Sequence, residues 1–174
     1  PETEWQAINR ENWEGIELFK NFLVPLSAIS SVCTILLRFL STSPLYAIGI
    51  GIILFVASVV GCYITYRIAR EYLINKVPQA NRTVLHLAVY SSAVFIPFHC
   101  LSSGFSEGFL SQLMAICSLL CLRTLYVGLN RLTSLDAQYR KSALVIIGLL
   151  VIVSPIIIQQ LLMIIFRIPT RSEE

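Results

Sequence analysis

Five apolar stretches, each long enough to cross a bilayer, leave this 174-residue chain little length for anything else. They run from Phe22 to Leu40, Pro44 to Tyr66, Val84 to Phe105, Phe109 to Gly128 and Ser142 to Phe166. A hydrocarbon core about 30 Å thick, climbed at about 1.5 Å per residue, needs roughly 17–25 mainly apolar residues. The runs are continuous rather than alternating, so the spans are expected to be helices and not barrel strands. Packed helices also satisfy the backbone polar groups that lipid cannot.

The predicted fold class is therefore an all-α membrane protein. A bundle of five transmembrane helices occupies residues 22–166, a short amphipathic interfacial helix precedes it in residues 1–21, and an outward-facing tail follows in residues 167–174. The composition agrees: 56% of residues are hydrophobic and 13% charged, against roughly 45–50% and 25% in soluble domains. Two basic loops and two tight turns join the spans, with no room for a soluble domain. The acidic segment before Phe22 lacks the basic front of a signal peptide, so the first span is expected to stay in the protein.

Lys and Arg fall in alternate gaps. With five spans, the N-terminus and the loops after the second and fourth spans share a side. That side holds Arg10, Lys20, Arg67, Arg70, Lys76, Arg82, Arg131, Arg140 and Lys141, while the other holds only Arg167 and Arg171. The positive-inside rule then predicts a cytoplasmic N-terminus and an outside C-terminus. Such a face attracts anionic headgroups at about 1 kcal/mol per nearby basic residue, although topology alone produces the same pattern. No nucleic-acid module accompanies these cations, so no nucleic-acid partner is expected.

In the head, Trp5, Ile8, Trp13, Ile16 and Phe19 recur at helical spacing among Glu4, Arg10, Glu11, Glu14, Glu17 and Lys20. This predicts a helix in the cytoplasmic interface with its indoles at headgroup level. It serves as an anchor for the first span or, in a sharper reading, as a curvature wedge. Pro25 sits early in the span, where a missing amide hydrogen costs least.

Two charged residues fall inside spans, Arg38 near the outer end of the first and Arg123 near the inner end of the fourth. Snorkelling to the headgroups is the default expectation for both. The alternative for Arg38 is an outward-facing polar pocket with His99 and Glu107, in which Ser102, Ser103 and Ser106 supply hydroxyls. On the inner half, His86, Tyr63, Tyr66, Tyr90 and Tyr126 read as an interfacial aromatic belt. Ala57 and Gly61 form a small-xxx-small pair in the second span, with Gly49 and Gly51 before them. Ser27, Ser31 and Thr34 share a face of the first, so these two spans are expected to be neighbours or a dimer contact. Pro97 and Pro155 predict kinks in the third and fifth spans. Gln159 and Gln160 add amides that bridge helices or line a cavity.

All five cysteines, Cys33, Cys62, Cys100, Cys117 and Cys121, lie in spans and read as reduced core residues. Cys117 and Cys121 share a helix face, but two thiols without His or Asp beside them do not make a closed zinc site, so no metal and no cofactor is predicted. No catalytic motif is present, and the spans contain no acidic residue, which argues against enzyme function and against an ordinary ion-coupled carrier.

Three motifs carry a family resemblance. Trp5-Gln-Ala-Ile8 with Glu11 leads through Leu18 to Phe22-Leu-Val-Pro25-Leu26. Leu87-Ala-Val-Tyr90-Ser91-Ser92 lies in the third span, and Leu125-Tyr126-Val-Gly128-Leu129 ends the fourth. In this order they resemble the Yip-domain family, whose founding eukaryotic members are Ypt/Rab-interacting membrane proteins. The resemblance implies five helices, a cytoplasmic N-terminus and a role in vesicle formation or membrane shaping. It marks Pro25, Tyr90, Ser91, Tyr126 and Gly128 as signature, fold-bearing positions. Val94-Phe95-Ile96 stands before Pro97 where family members commonly have an earlier proline. The short head is similar to that of prokaryotic members, which implies a prokaryotic cytoplasmic (inner) membrane, and binding of a Rab-type GTPase is not carried over.

The leading functional expectation is a non-enzymatic membrane-organising or assembly factor acting through membrane lipids, a homo-oligomer or other membrane proteins. The rival is a small transporter or channel lined by Arg38, His99, Glu107, Gln159 and Gln160.

Overall fold

The computed structural model describes residues 15–77, 79–105 and 108–166. Trp5, Ile8 and Trp13, on which the expected amphipathic head rests, lie outside these residues, as do Ser106, Glu107 and the tail. Five helices are long and apolar enough to span a membrane: Phe19–Phe39, Pro44–Leu73, Ala80–Gly104, Phe109–Leu132 and Ala137–Ile165. They are called the first to fifth spans.

On the side of the tight turns, every helix stops within one residue of the end of its apolar run. On the basic side every helix continues, by three to seven residues. Hydropathy ends where Arg, Lys and Glu begin, yet these long unbranched side chains are good helix formers. The helices therefore carry on past the apolar layer and make a basic crown one to two turns tall.

The first span opens with a short turn, Gly15–Leu18, and a π-helical stretch, Phe19–Leu23, before its α-helix Val24–Phe39. Pro25 explains the widening. It offers no amide hydrogen to the carbonyl of Asn21, and its ring crowds that carbonyl. The turn expands, and the Val24 amide reaches back five residues to the Phe19 carbonyl, a π-type bond. Five-residue spacing also turns both Leu18 and Leu23 inward, at 3% and 0% exposure.

Around the bundle the order is first, second, fifth, fourth, third, with the second and third also touching across the middle. The third packs against all four others. Val84 to Val89 are consequently buried on every side, as expected of a helix with no free face. This corrects the reading of His86 as part of an aromatic belt: at 3% exposure it lies inside the bundle, while Tyr63 and Tyr126 face outward. One apolar cluster, including Leu73, Leu87, Phe95, Leu125 and Ile147, fills the space toward the fourth and fifth spans. A second, including Leu23, Leu54, Val89 and Ile96, fills the space toward the first.

The fourth span is interrupted at Leu119, between helices Phe109–Ser118 and Leu120–Leu132. Ser118 Oγ donates to the Ala115 carbonyl at 2.6 Å, and the backbone tightens, with Leu119 N bonding Ile116 O at 3.0 Å. Such back-bonding commonly disturbs a helix.

Small residues mark the closest approaches. Ala57 is buried, and a Cβ added at Gly61 would lie 2.8 Å from the ring and nitrogen of Pro155 and 2.9 Å from its Cα. Gly61 thus packs within its own chain, against the rigid part of the fifth span. At Gly51 the obstacle is instead the Ile35 side chain, which has rotamers to yield.

Gly61→Ala is expected to cost about 1–3 kcal/mol, the usual range for overpacking, and to lower the unfolding temperature in detergent. Gly51→Ala is expected to cost less. Equal losses, or none at Gly61, would contradict the packing described.

Candidate functional site

A polar side chain within the bilayer needs a partner, and neighbouring helices supply backbone carbonyls. Thr34 Oγ1 donates across to the Cys100 carbonyl at 2.8 Å and also lies 3.2 Å from the Ser30 carbonyl. One turn on, Arg38 Nε donates to the Ser103 carbonyl at 2.9 Å. Both bonds join the first span to the third, where Gly104 permits the approach: a Cβ there would meet the Leu37 side chain at 2.8 Å.

Thr65 Oγ1 joins the second span to the fifth, donating to the Gly61 carbonyl at 2.9 Å and to the Leu150 carbonyl at 3.1 Å. Pro155, inside the same helix, withholds an amide hydrogen from Val151 one residue away. Ser102 and Ser111 tie the third span to the fourth reciprocally, each hydroxyl donating to the other's carbonyl at 2.9 and 2.8 Å. His99 Nε2 meets Gln159 Oε1 of the fifth span at 2.8 Å, which requires the imidazole N–H at Nε2. The same ring stacks on Phe95 at 5.1 Å.

Arg38 and His99, expected in one pocket with Glu107, turn to different partners. The imidazole faces the fifth span, and the guanidinium stays with the first and third. Glu107 lies outside the described residues. Arg38 also corrects the snorkelling expectation: at 8% exposure it is held against Ser103, because helix packing covers its stem. Arg123 is exposed on the outer surface. Gln159 is inside and Gln160 outside, on opposite sides of one helix.

Cys62, Cys100 and Cys121 are buried, Cys117 is half-buried and Cys33 faces outward, all as free thiols. Ser31, Thr34 and Ser58 surround the Cys100 sulfur, and Ser92 lies beside Cys62. Among the described residues, no three His, Cys, Asp or Glu side chains gather.

On the basic crown, three cations are fixed by neutral groups. Arg70 Nε donates to Asn81 Oδ1 at 2.5 Å, joining the second and third spans. Lys76 Nζ lies 4.4 Å from the Tyr72 ring centre and 4.7 Å from that of Tyr139, at the second and fifth spans. Arg140 donates through Nη1 to Asn130 Oδ1 at 2.6 Å and through Nη2 to the Leu135 carbonyl at 2.8 Å. Among the described residues none of the three pairs with a carboxylate, so their positions are set while their charges stay uncompensated.

The signature positions occupy varied sites. Pro25 causes the π turn, Ser91 and Gly128 are buried, and Tyr126 faces outward. Tyr90 packs against Phe22, with ring centres 5.4 Å apart. The Yip1 domain family model matches residues 1–158. The chain belongs to the Yip1-domain family. It is a multi-pass membrane protein by the same match together with its five spans. No match was found among curated proteins or among solved structures.

Hydropathy and spacing do not reveal Thr34, Thr65, Ser102 and Ser111 as bonds between spans. A signal did exist for Thr65, which follows Gly61 by one turn and so faces the same close approach. A double-mutant cycle with His99→Phe and Gln159→Leu should give a coupling of about 0.6 kcal/mol, and no more than about 1.7, as for other hydrogen bonds inside membranes. Additive single losses in thermal unfolding would mean the pair contributes nothing to stability.

Proposed function

We propose that this Yip1-domain protein is a non-enzymatic membrane-organising factor whose working surface is the basic crown, acting on lipids or on neighbouring membrane proteins. The observation that carries this reading is the one-sided overshoot of the helices. It raises Arg67, Arg70, Lys76, Arg131, Arg140 and Lys141 beyond the apolar runs, on rigid helix ends or the turns beside them. The positive-inside rule puts this crown in the cytoplasm and the two tight turns outside; the membrane of a prokaryotic cell is the proposed location. Membrane surfaces rich in anionic lipid attract such a face within about a Debye length.

The polar side chains inside the bundle support an organising role over transport. Thr34, Arg38, Thr65, Ser102, Ser111, His99 and Gln159 are engaged with one another or with carbonyls of adjacent spans. These seven hold helices together, while Ser27, Ser31, His86, Ser91 and Ser92 each bury a polar atom with no hydrogen-bond partner among the described residues. Gln160, which the transport reading needs in the interior, is on the outer surface.

Two measurements test this reading. With a membrane-impermeant maleimide on intact cells, and with the native cysteines replaced by serine or alanine, Ser41→Cys should label and Asn75→Cys should label only after the membrane is opened. The reverse pattern would invert the orientation. In liposomes loaded with a broad panel of ions and small solutes, no flux above that of empty vesicles is expected. Flux that disappears on His99→Phe would move the function to transport.

A further inference from the structure

Arg123 is a charge set into the lipid-facing side of the bundle, between one and two turns below the Gly128 end of its apolar run. Its neighbours along the exposed stripe of the fourth span are Ile116, Leu119, Leu120 and Tyr126. Among the described residues it has no polar partner. Side chains on a helix lean toward the helix N-terminus, and the N-terminus of the fourth span is at the opposite, turn-side surface. Arg123 therefore leaves the backbone pointing into the bilayer, and reaching the crown means folding back against that lean. A lone guanidinium in hydrocarbon is costly, so an anion that comes down to meet it gains a charge-assisted contact.

Further groups follow it along the helix toward the crown. Tyr126 lies on the same stripe, about 49% exposed. Asn130, seven residues on and so on nearly the same helix face, holds the guanidinium of Arg140 at 2.6 Å. Arg123 thus precedes Tyr126 by about one turn on the lipid-facing side, and Arg140 of the fifth span, held by Asn130, lies about one turn beyond it. Neither arginine faces a carboxylate among the described residues. A ligand for this line needs a negative head at the depth of Tyr126 and an apolar body alongside Leu119 and Leu120.

We propose that this lipid-facing line on the fourth span binds one acidic phospholipid, its phosphate between Arg123 and Arg140 and an acyl chain against the outer face of the fourth span. This rests on the reading of the protein as one that acts through lipid contacts and gives that contact a place. The apolar surroundings of Arg123 favour a lipid over free phosphate.

The test is native mass spectrometry of the purified full chain in mild detergent containing equal phosphatidylglycerol and phosphatidylcholine. Wild type should retain phosphatidylglycerol preferentially. Arg123→Gln should reduce that preference by roughly tenfold, the loss of one charge-assisted contact. Arg140→Gln should reduce it in part, and Arg123→Lys should restore some of it. Arg67→Gln, which removes another exposed cation of the crown, should reduce it far less than Arg123→Gln does.

Equal retention of the two lipids by wild type, or the same loss from Arg67→Gln as from Arg123→Gln, would overturn the site. Displacement of phosphatidylglycerol by inorganic phosphate would make it a free-anion site. An Arg123-dependent doubling of mass would replace the lipid with an acidic group of a second copy. An unfolding temperature for Arg123→Gln equal to wild type separates loss of the site from loss of fold. If lipid selectivity persists in wild type but ignores Arg123, the organising reading stands and this site alone fails.

Discussion

Gly61 lies against Pro155, and the remaining helices are arranged around that approach. The contact works because each partner lacks something: glycine has no side chain to hold the helices apart, and proline has no amide hydrogen to close its own turn. Thr65 follows Gly61 by one turn and donates to Leu150, so polar and steric matching occur close together on the same pair of helices. With the second and fifth spans fixed, the third fills the interior. The first closes one flank through Thr34 and Arg38, and the fourth closes the other through the Ser102–Ser111 exchange.

How far the sequence reveals this structure depends on which physical quantity is being read. Apolar length fixes the five spans because hydrocarbon thickness is a hard limit. It does not reveal the crown, since the charged residues that end an apolar run continue a helix well. The small residues Ala57 and Gly61 were legible as packing residues, but the identity of their neighbour was not. Close approach is written on one helix, while the residue it approaches is written about 94 positions away, at Pro155. The π turn escaped for a similar reason: Pro25 signals an interrupted ladder, and only the burial of Leu18 and Leu23 five apart shows how the chain absorbs it.

The expected pocket divides instructively. Arg38, His99 and Glu107 share a depth, which topology gives, but topology does not give azimuth. His99 and Cys100 are adjacent in sequence, yet one faces the fifth span and the other the first. In a central helix each direction meets a different neighbour, so residues at one level need not share a site. Arg123 shows the opposite case: sequence located it, and its outward direction on the fourth span gives it significance.

The order of spans around the bundle also bears on how such a protein is made. Helices leave the insertion machinery in chain order, but the second span finds its largest partner only when the fifth arrives. Until then the Gly61 face is bathed in lipid. Its hydroxyl is not stranded in that interval, because Thr65 already donates to Gly61 within its own helix and adds Leu150 later. The second span therefore waits in the membrane with its Thr65 hydroxyl already bonded, and closure displaces acyl chains from the Gly61 face.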